Sequence, residues 1–100
     1  MKIEIFGKEI QNEMDFHKQF NKYAEWTYYG HNLNALWDVL SSGFSGHLIW
    51  YDAKISEQVL GKTFHRIIEL FEETKIHSEE KCKNYPQHFT DDDKFTYELR

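Results

Sequence analysis

The sequence predicts a small α/β fold, a three-stranded parallel sheet packed with about four helices in two layers. Two segments near the chain ends, Met1 to Phe6 and Phe95 to Leu99, alternate apolar with polar or charged residues, the period of a half-buried strand. A short apolar run, Leu48-Ile49-Trp50-Tyr51, lies mid-chain between turn residues and fits a strand buried on both faces. The stretches between these segments repeat apolar residues at helical spacing. Strands separated by helices call for crossover connections, and crossovers pair strands in parallel.

Taken in order, Ile3 and Ile5 alternate with Lys2 and Glu4 in the first strand, and Gly7 marks the turn after it. Asn12, three residues before Asp15, predicts a helix start, because a short polar side chain can accept from the free amides there. Phe16, Phe20 and Tyr23 carry that helix from about Glu13 to about Ala24. Leu33, Leu36, Trp37 and Leu40 fall at i, i+3, i+4 and i+7 and form one apolar stripe, with Asn32 as its N-cap and Gly43 and Gly46 ending it. Ile55, Val59 and Leu60 predict a short helix after Ala53. Beyond Gly61, a second stripe of Phe64, Ile67, Ile68 and Phe71 runs to about Lys75. The stretch from His77 to Asp93 is polar and contains Pro86; it is expected to be one long loop ending in Asp91-Asp92-Asp93. Phe95, Tyr97 and Leu99 then form the last strand.

Composition narrows the function. The chain has 100 residues, the size of a single domain spanning 1–100. Hydrophobic residues at 40% and charged residues at 29% are those of a folded globular protein. Three Trp, six Tyr and eight Phe supply a bulky core from few positions. Seventeen acidic against twelve basic side chains leave a net charge of -5, which repels phosphate and favours a basic protein partner over nucleic acid. The longest uncharged stretch, Val39 to Tyr51, is broken by Ser, Gly and His, so no membrane span is expected, and the N-terminus lacks the apolar run of a secretion signal. A lone cysteine, Cys82, fits a reducing compartment.

The helix beginning at Leu33 carries the functional expectation. Its leucines and Trp37 define the buried side; Asn34, Asp38 and Ser41, at i, i+4 and i+7, point to solvent. The loop Trp26-Thr27-Tyr28-Tyr29-Gly30-His31-Asn32 lies just upstream. Rigid rings beside a carboxylate are an interface pattern; the bland alternative is that the tyrosines cover the core. The run Tyr28-Tyr29-Gly30-His31-Asn32-Leu33-Asn34-Ala35-Leu36-Trp37-Asp38-Val39-Leu40 resembles the signature of the barstar family, the intracellular inhibitors of secreted bacterial ribonucleases. That signature reads Tyr-Tyr-Gly-x-Asn-Leu-Asp-Ala-Leu-Trp-Asp-x-Leu, and every fixed position but one matches. The order of strands and helices is also similar to the family's fold.

The resemblance implies inhibition by charge mimicry, with no catalysis and no cofactor. The loop and helix would plug the active site of a bacterial ribonuclease, of the barnase type or a toxin domain, with Asp38 where a substrate phosphate binds. Tyr28, Gly30, Asn32 and Trp37 would line the same contact. Phe44 would stand at its rim, and Glu73, within Phe71-Glu72-Glu73-Thr74-Lys75, would add a carboxylate from the last helix. The full expected partner-binding set is Tyr28, Tyr29, Gly30, Asn32, Leu33, Asn34, Trp37, Asp38, Ser41, Gly43, Phe44 and Glu73. The protein is expected to be cytoplasmic and a monomer when free. Asn34 is the departure, standing where the family has an aspartate, and the 77–93 stretch resembles an insertion. Asn34 also sustains a second reading, a barstar-fold module whose basic partner is not a nuclease. A small enzyme is the third, with no motif behind it. His77, Cys82 and His88 match no zinc spacing, Gly43 and Gly46 lack the lysine of a phosphate loop, and Glu69, Glu72 and Glu73 read chiefly as a solvated face.

Overall fold

The first strand, β1 (Lys2–Phe6), sends Ile3 and Ile5 into the interior and leaves Lys2 and Phe6 exposed, as its alternation requires. The computed structural model describes residues 1–25 and 29–100. These form three strands, β1, β2 (Gly46–Tyr51) and β3 (Phe95–Leu99), and four α-helices, α1 (Glu13–Asn21), α2 (Leu33–Ser41), α3 (Ala53–Leu60) and α4 (Lys62–Asn84). The sheet order is β1-β2-β3 with both pairs parallel, in the register Ile3 opposite Leu48, Ile5 opposite Trp50 and Leu48 opposite Tyr97. The predicted three-stranded parallel α/β fold is therefore the observed one.

The register puts Ile3, Ile5, Leu48, Trp50 and Phe95 on one face, all fully buried, and the helices bury their own apolar stripes against it. Phe16 of α1 stacks on Trp50 at 5.1 Å between ring centroids, and Phe71 of α4 closes on Trp50 at 6.3 Å and Phe95 at 5.6 Å. The Trp50 indole N–H, carried into this core, donates to Ser56 Oγ at 2.9 Å, so no polar hydrogen is stranded. The other face carries Glu4, His47, Tyr51, Thr96 and Glu98, all half-buried, with Ile49 in their midst. Leu48, Ile49 and Trp50 are all buried, so the continuous apolar run does mark a strand covered on both sides. At the β1 edge, the Gln19 side chain accepts from Phe6 N at 2.7 Å and donates to Phe6 O at 3.1 Å, as a neighbouring strand would.

Two expected boundaries change. α1 stops at Asn21, not near Ala24, and Tyr23 N closes the chain end onto Phe20 O. The larger correction concerns the stretch from His77, which is not a long loop: α4 continues through it to Asn84. The buried stripe of α4 does not stop at Phe71 but passes to Thr74 and Ser78, two hydroxyl residues that read as polar in sequence. Their hydroxyls turn back onto the helix, Thr74 Oγ1 to Leu70 O at 2.8 Å and Ser78 Oγ to Lys75 O at 2.9 Å, so they are buried without loss of hydrogen bonding. Asp91–Asp93, expected as a solvated loop end, forms a short 3-10 turn capped by Thr90, whose N–H donates to Asp93 Oδ2 at 2.8 Å.

Candidate functional site: the seam between α2 and α4

α2 begins where the sequence places its cap. Asn32 Oδ1 accepts from Ala35 N at 2.8 Å, and Asn32 Nδ2 donates to Gly30 O at 3.2 Å, tying the incoming loop to the helix start. His31, between them, takes the left-handed conformation at φ 55°, which turns the chain into the cap. At the other end Gly43, with φ 96°, turns the chain away from α2 in a conformation that side chains rarely adopt.

Asn34, Asp38 and Ser41 are exposed on α2, as the helical wheel requires. Asp38 lies in a shallow depression with Gly30, Asn32, Asn34 and Ala35. Asn34 also borders a second depression, between α2 and α4, lined by Leu33, Trp37, Arg66, Leu70 and Glu73. A third lies beyond Trp37, where Ser41, Gly43, His77 and Lys81 surround it. Glu73, more than thirty residues along the chain, is thus brought to the seam that Trp37 and Asn34 border. The neighbouring glutamates turn elsewhere. Glu72 accepts from the Tyr97 hydroxyl at 2.6 Å, and Glu69 pairs with Arg66 at 2.9 Å. Burial, then the Glu72 carboxylate, pushes the Tyr97 hydroxyl up to about 12.

Several expected contacts are placed differently. Tyr29 is a core residue, not a surface ring: it is 5% exposed, its hydroxyl bonds to His17 Nδ1, and its ring meets Phe20 edge-on at 5.6 Å. Burial holds the Tyr29 hydroxyl far above its ordinary range, so it remains a neutral donor. Phe44 is likewise interior, between Phe20 at 5.4 Å and Phe95 at 6.1 Å, and reaches the surface only as a wall of the third depression. Leu33 and Trp37, assigned by the wheel to the buried side, are half-buried along the seam, because α4 covers only one flank of each. Tyr28 lies outside the described residues.

The residues not anticipated are Arg66, Leu70, His77 and Lys81 of α4. They form the wall facing α2, and His77 meets the Trp37 ring edge-on at 6.4 Å. Continuing the wheel of α4 past Lys75 would have found His77 and Lys81, whereas Arg66 and Leu70 lie on turns already assigned to the helix and are placed at the seam by its packing against α2. Among the described residues no three His, Cys, Asp or Glu side chains converge as metal ligands would. The seam offers an open, charged surface around a half-buried indole, suited to docking a macromolecule.

The family model described as Barstar (barnase inhibitor) matches residues 1–90 of the 100-residue chain. The chain belongs to the barstar family. The barstar match runs from β1 through α4 and takes in both walls of the seam; β3, which completes the sheet, follows the matched residues.

Proposed function

We propose that the protein inhibits a bacterial ribonuclease, of the barnase type or a toxin domain, by seating the exposed face of α2 in the enzyme's active site. Asp38 stands in for an RNA phosphate, and Glu73 adds a second carboxylate across the seam. The observation that carries this reading is the exposure of Asp38 beside Asn32, Asn34 and Gly30, on a helix whose neighbouring Trp37 is half-buried and rigidly backed by α4. A ribonuclease binds its substrate with cationic side chains, and a carboxylate presented there forms charge-assisted hydrogen bonds. The net charge of -5 attracts such a cleft and raises the encounter rate. The protein acts by occlusion, without turnover or cofactor, and in the cytoplasm, where the free thiol of Cys82 is at home.

Co-expression with candidate ribonucleases, scored for rescue of growth, tests the reading. Purified Asp38→Ala is expected to inhibit the ribonuclease so identified about thirtyfold less tightly, roughly the 2 kcal/mol general to hot spots, and mostly through faster dissociation. The thermal midpoint should not move, because an exposed side chain is removed. Equal inhibition by the variant and the parent would remove Asp38 from the contact and defeat the mechanism.

A further inference from the structure

α4 presents a single stripe toward α2. Arg66, Leu70, Glu73, His77 and Lys81 follow at i, i+4, i+7, i+11 and i+15. Leu70 is the buried floor and the other four are exposed. Arg66 and Glu73 border one depression and His77 and Lys81 the next, with Trp37 shared between them. Read along the helix, the wall is a cation, an anion, a histidine and a cation. It carries both signs, although the chain as a whole is net acidic.

Neither cation is neutralised in place. Arg66 Nη1 donates to Glu69 Oε2 at 2.9 Å, but the two side chains are 54% and 63% exposed, and such a pair is weak and leaves further guanidinium donors free. Lys81 has no ion pair among the described residues. Asp93 borders the Lys81 depression, with its Oδ2 accepting from Thr90 N. Fifteen residues of helix separate Arg66 from Lys81, about 22 Å. Both fit within the footprint of one interface of about 800 Å² per partner, roughly 30 Å across.

We propose that Arg66 and Lys81 are specificity determinants, and that the ribonuclease meeting this face carries charges of both signs. Basic groups meet Asp38 and Glu73, and carboxylates at the rim of the enzyme's cleft meet Arg66 and Lys81. This rests on the α2 face being the ribonuclease contact. Placed within the footprint, the two cations repel an enzyme whose rim is basic throughout and admit one whose basic centre is flanked by acids. Each acts locally, because charges more than about 10 Å apart are screened at 0.1 M salt.

Charge reversal separates the two kinds of partner by the sign of its effect. The parent, Arg66→Glu, Lys81→Glu and the double variant are titrated against a panel of purified barnase-type ribonucleases, beside Asp38→Ala, with thermal midpoints as the control for folding. The double variant is expected to bind at least about fivefold more weakly and to associate more slowly at low salt, with Arg66→Gln/Lys81→Gln in between. A uniformly basic rim gives the opposite, tighter and faster binding after reversal. That result, no change, or a loss under fivefold overturns the proposal while Asp38→Ala still weakens inhibition. If Asp38→Ala binds like the parent, or the parent inhibits none of the enzymes, the ribonuclease contact itself falls and this proposal with it.

Discussion

His17 shows how one side chain ties the stability of this fold to pH. Its ring is fully buried, with Nε2 2.9 Å from Glu13 Oε2 and Nδ1 bonded to the Tyr29 hydroxyl. A carboxylate only accepts, which assigns the ring hydrogen to Nε2 and makes Nδ1 the acceptor of the Tyr29 O–H. Burial lowers the His17 pKa from its ordinary 6.5, and Glu13 opposes that shift without overcoming it. The folded state therefore prefers the neutral ring, while the unfolded chain takes up a proton below about 6.5. The stability this contributes is complete above that pH and is lost as pH falls below it toward the lowered folded value. The thermal midpoint should hold between about pH 8 and 7 and decline on acidification to pH 5. His17→Gln should cost about 1–3 kcal/mol at pH 7.5 and flatten the decline. Parallel pH profiles for parent and variant would show that another group is responsible. Two adjacent tyrosines, Tyr28 and Tyr29, look alike in the sequence, and nothing within the loop marks Tyr29 as the one that meets a histidine twelve residues earlier.

Among the elements, the caps were the most legible part. Asn12 and Asn32 both accept from the amide three residues on, at 3.0 and 2.8 Å, because capping depends only on residues within one turn. The far half of α4 was the least legible, because its buried stripe continues in hydroxyls where periodicity is judged by apolar residues. Ser78 is the pivot. It accepts from Phe95 N at 3.0 Å while donating to Lys75 O, joining the last turns of α4 to the start of β3. Ser78→Ala strands the Phe95 amide and should cost about 1–3 kcal/mol. In hydrogen exchange, residues 79–84 and 95–99 should lose protection together, ahead of α2. Loss of protection confined to α4 would mean that the bond to Phe95 does not couple the two elements. The same extension carries His77 and Lys81 to Trp37, so the missed turns of the helix and that half of the wall have one cause.

At the scale of the molecule, helices back one face of a three-stranded sheet and the other face is a lattice of polar contacts, such as Tyr51 donating to Glu4 Oε2 at 2.9 Å. The turn after β1 packs against the junction of β2 and α3 so closely that Gly7 has no room for a side chain. A Cβ there would meet the Asp52 carbonyl oxygen, the Tyr51 carbonyl oxygen at 2.6 Å and Ser56 Oγ at 2.7 Å. Gly7→Ala is expected to lower stability by about 1–3 kcal/mol or more, read as a lower denaturant midpoint at unchanged slope. A neutral substitution would mean that the β1 turn can move away without cost. The sequence by itself determined the number and order of strands, their parallel pairing, the helix starts and the exposed face of α2. Alternation, caps and apolar stripes are written in residues within about one turn or one strand of each other. Only the tertiary structure decided that Tyr29 and Phe44 belong to the core, that Glu73 and not Glu72 turns to the seam, and that Arg66, His77 and Lys81 stand beside Trp37. Those placements depend on which separate segments settle together, α1 against Tyr29 and Phe44 and α4 against α2, a matter of volume and contact that local spacing does not encode.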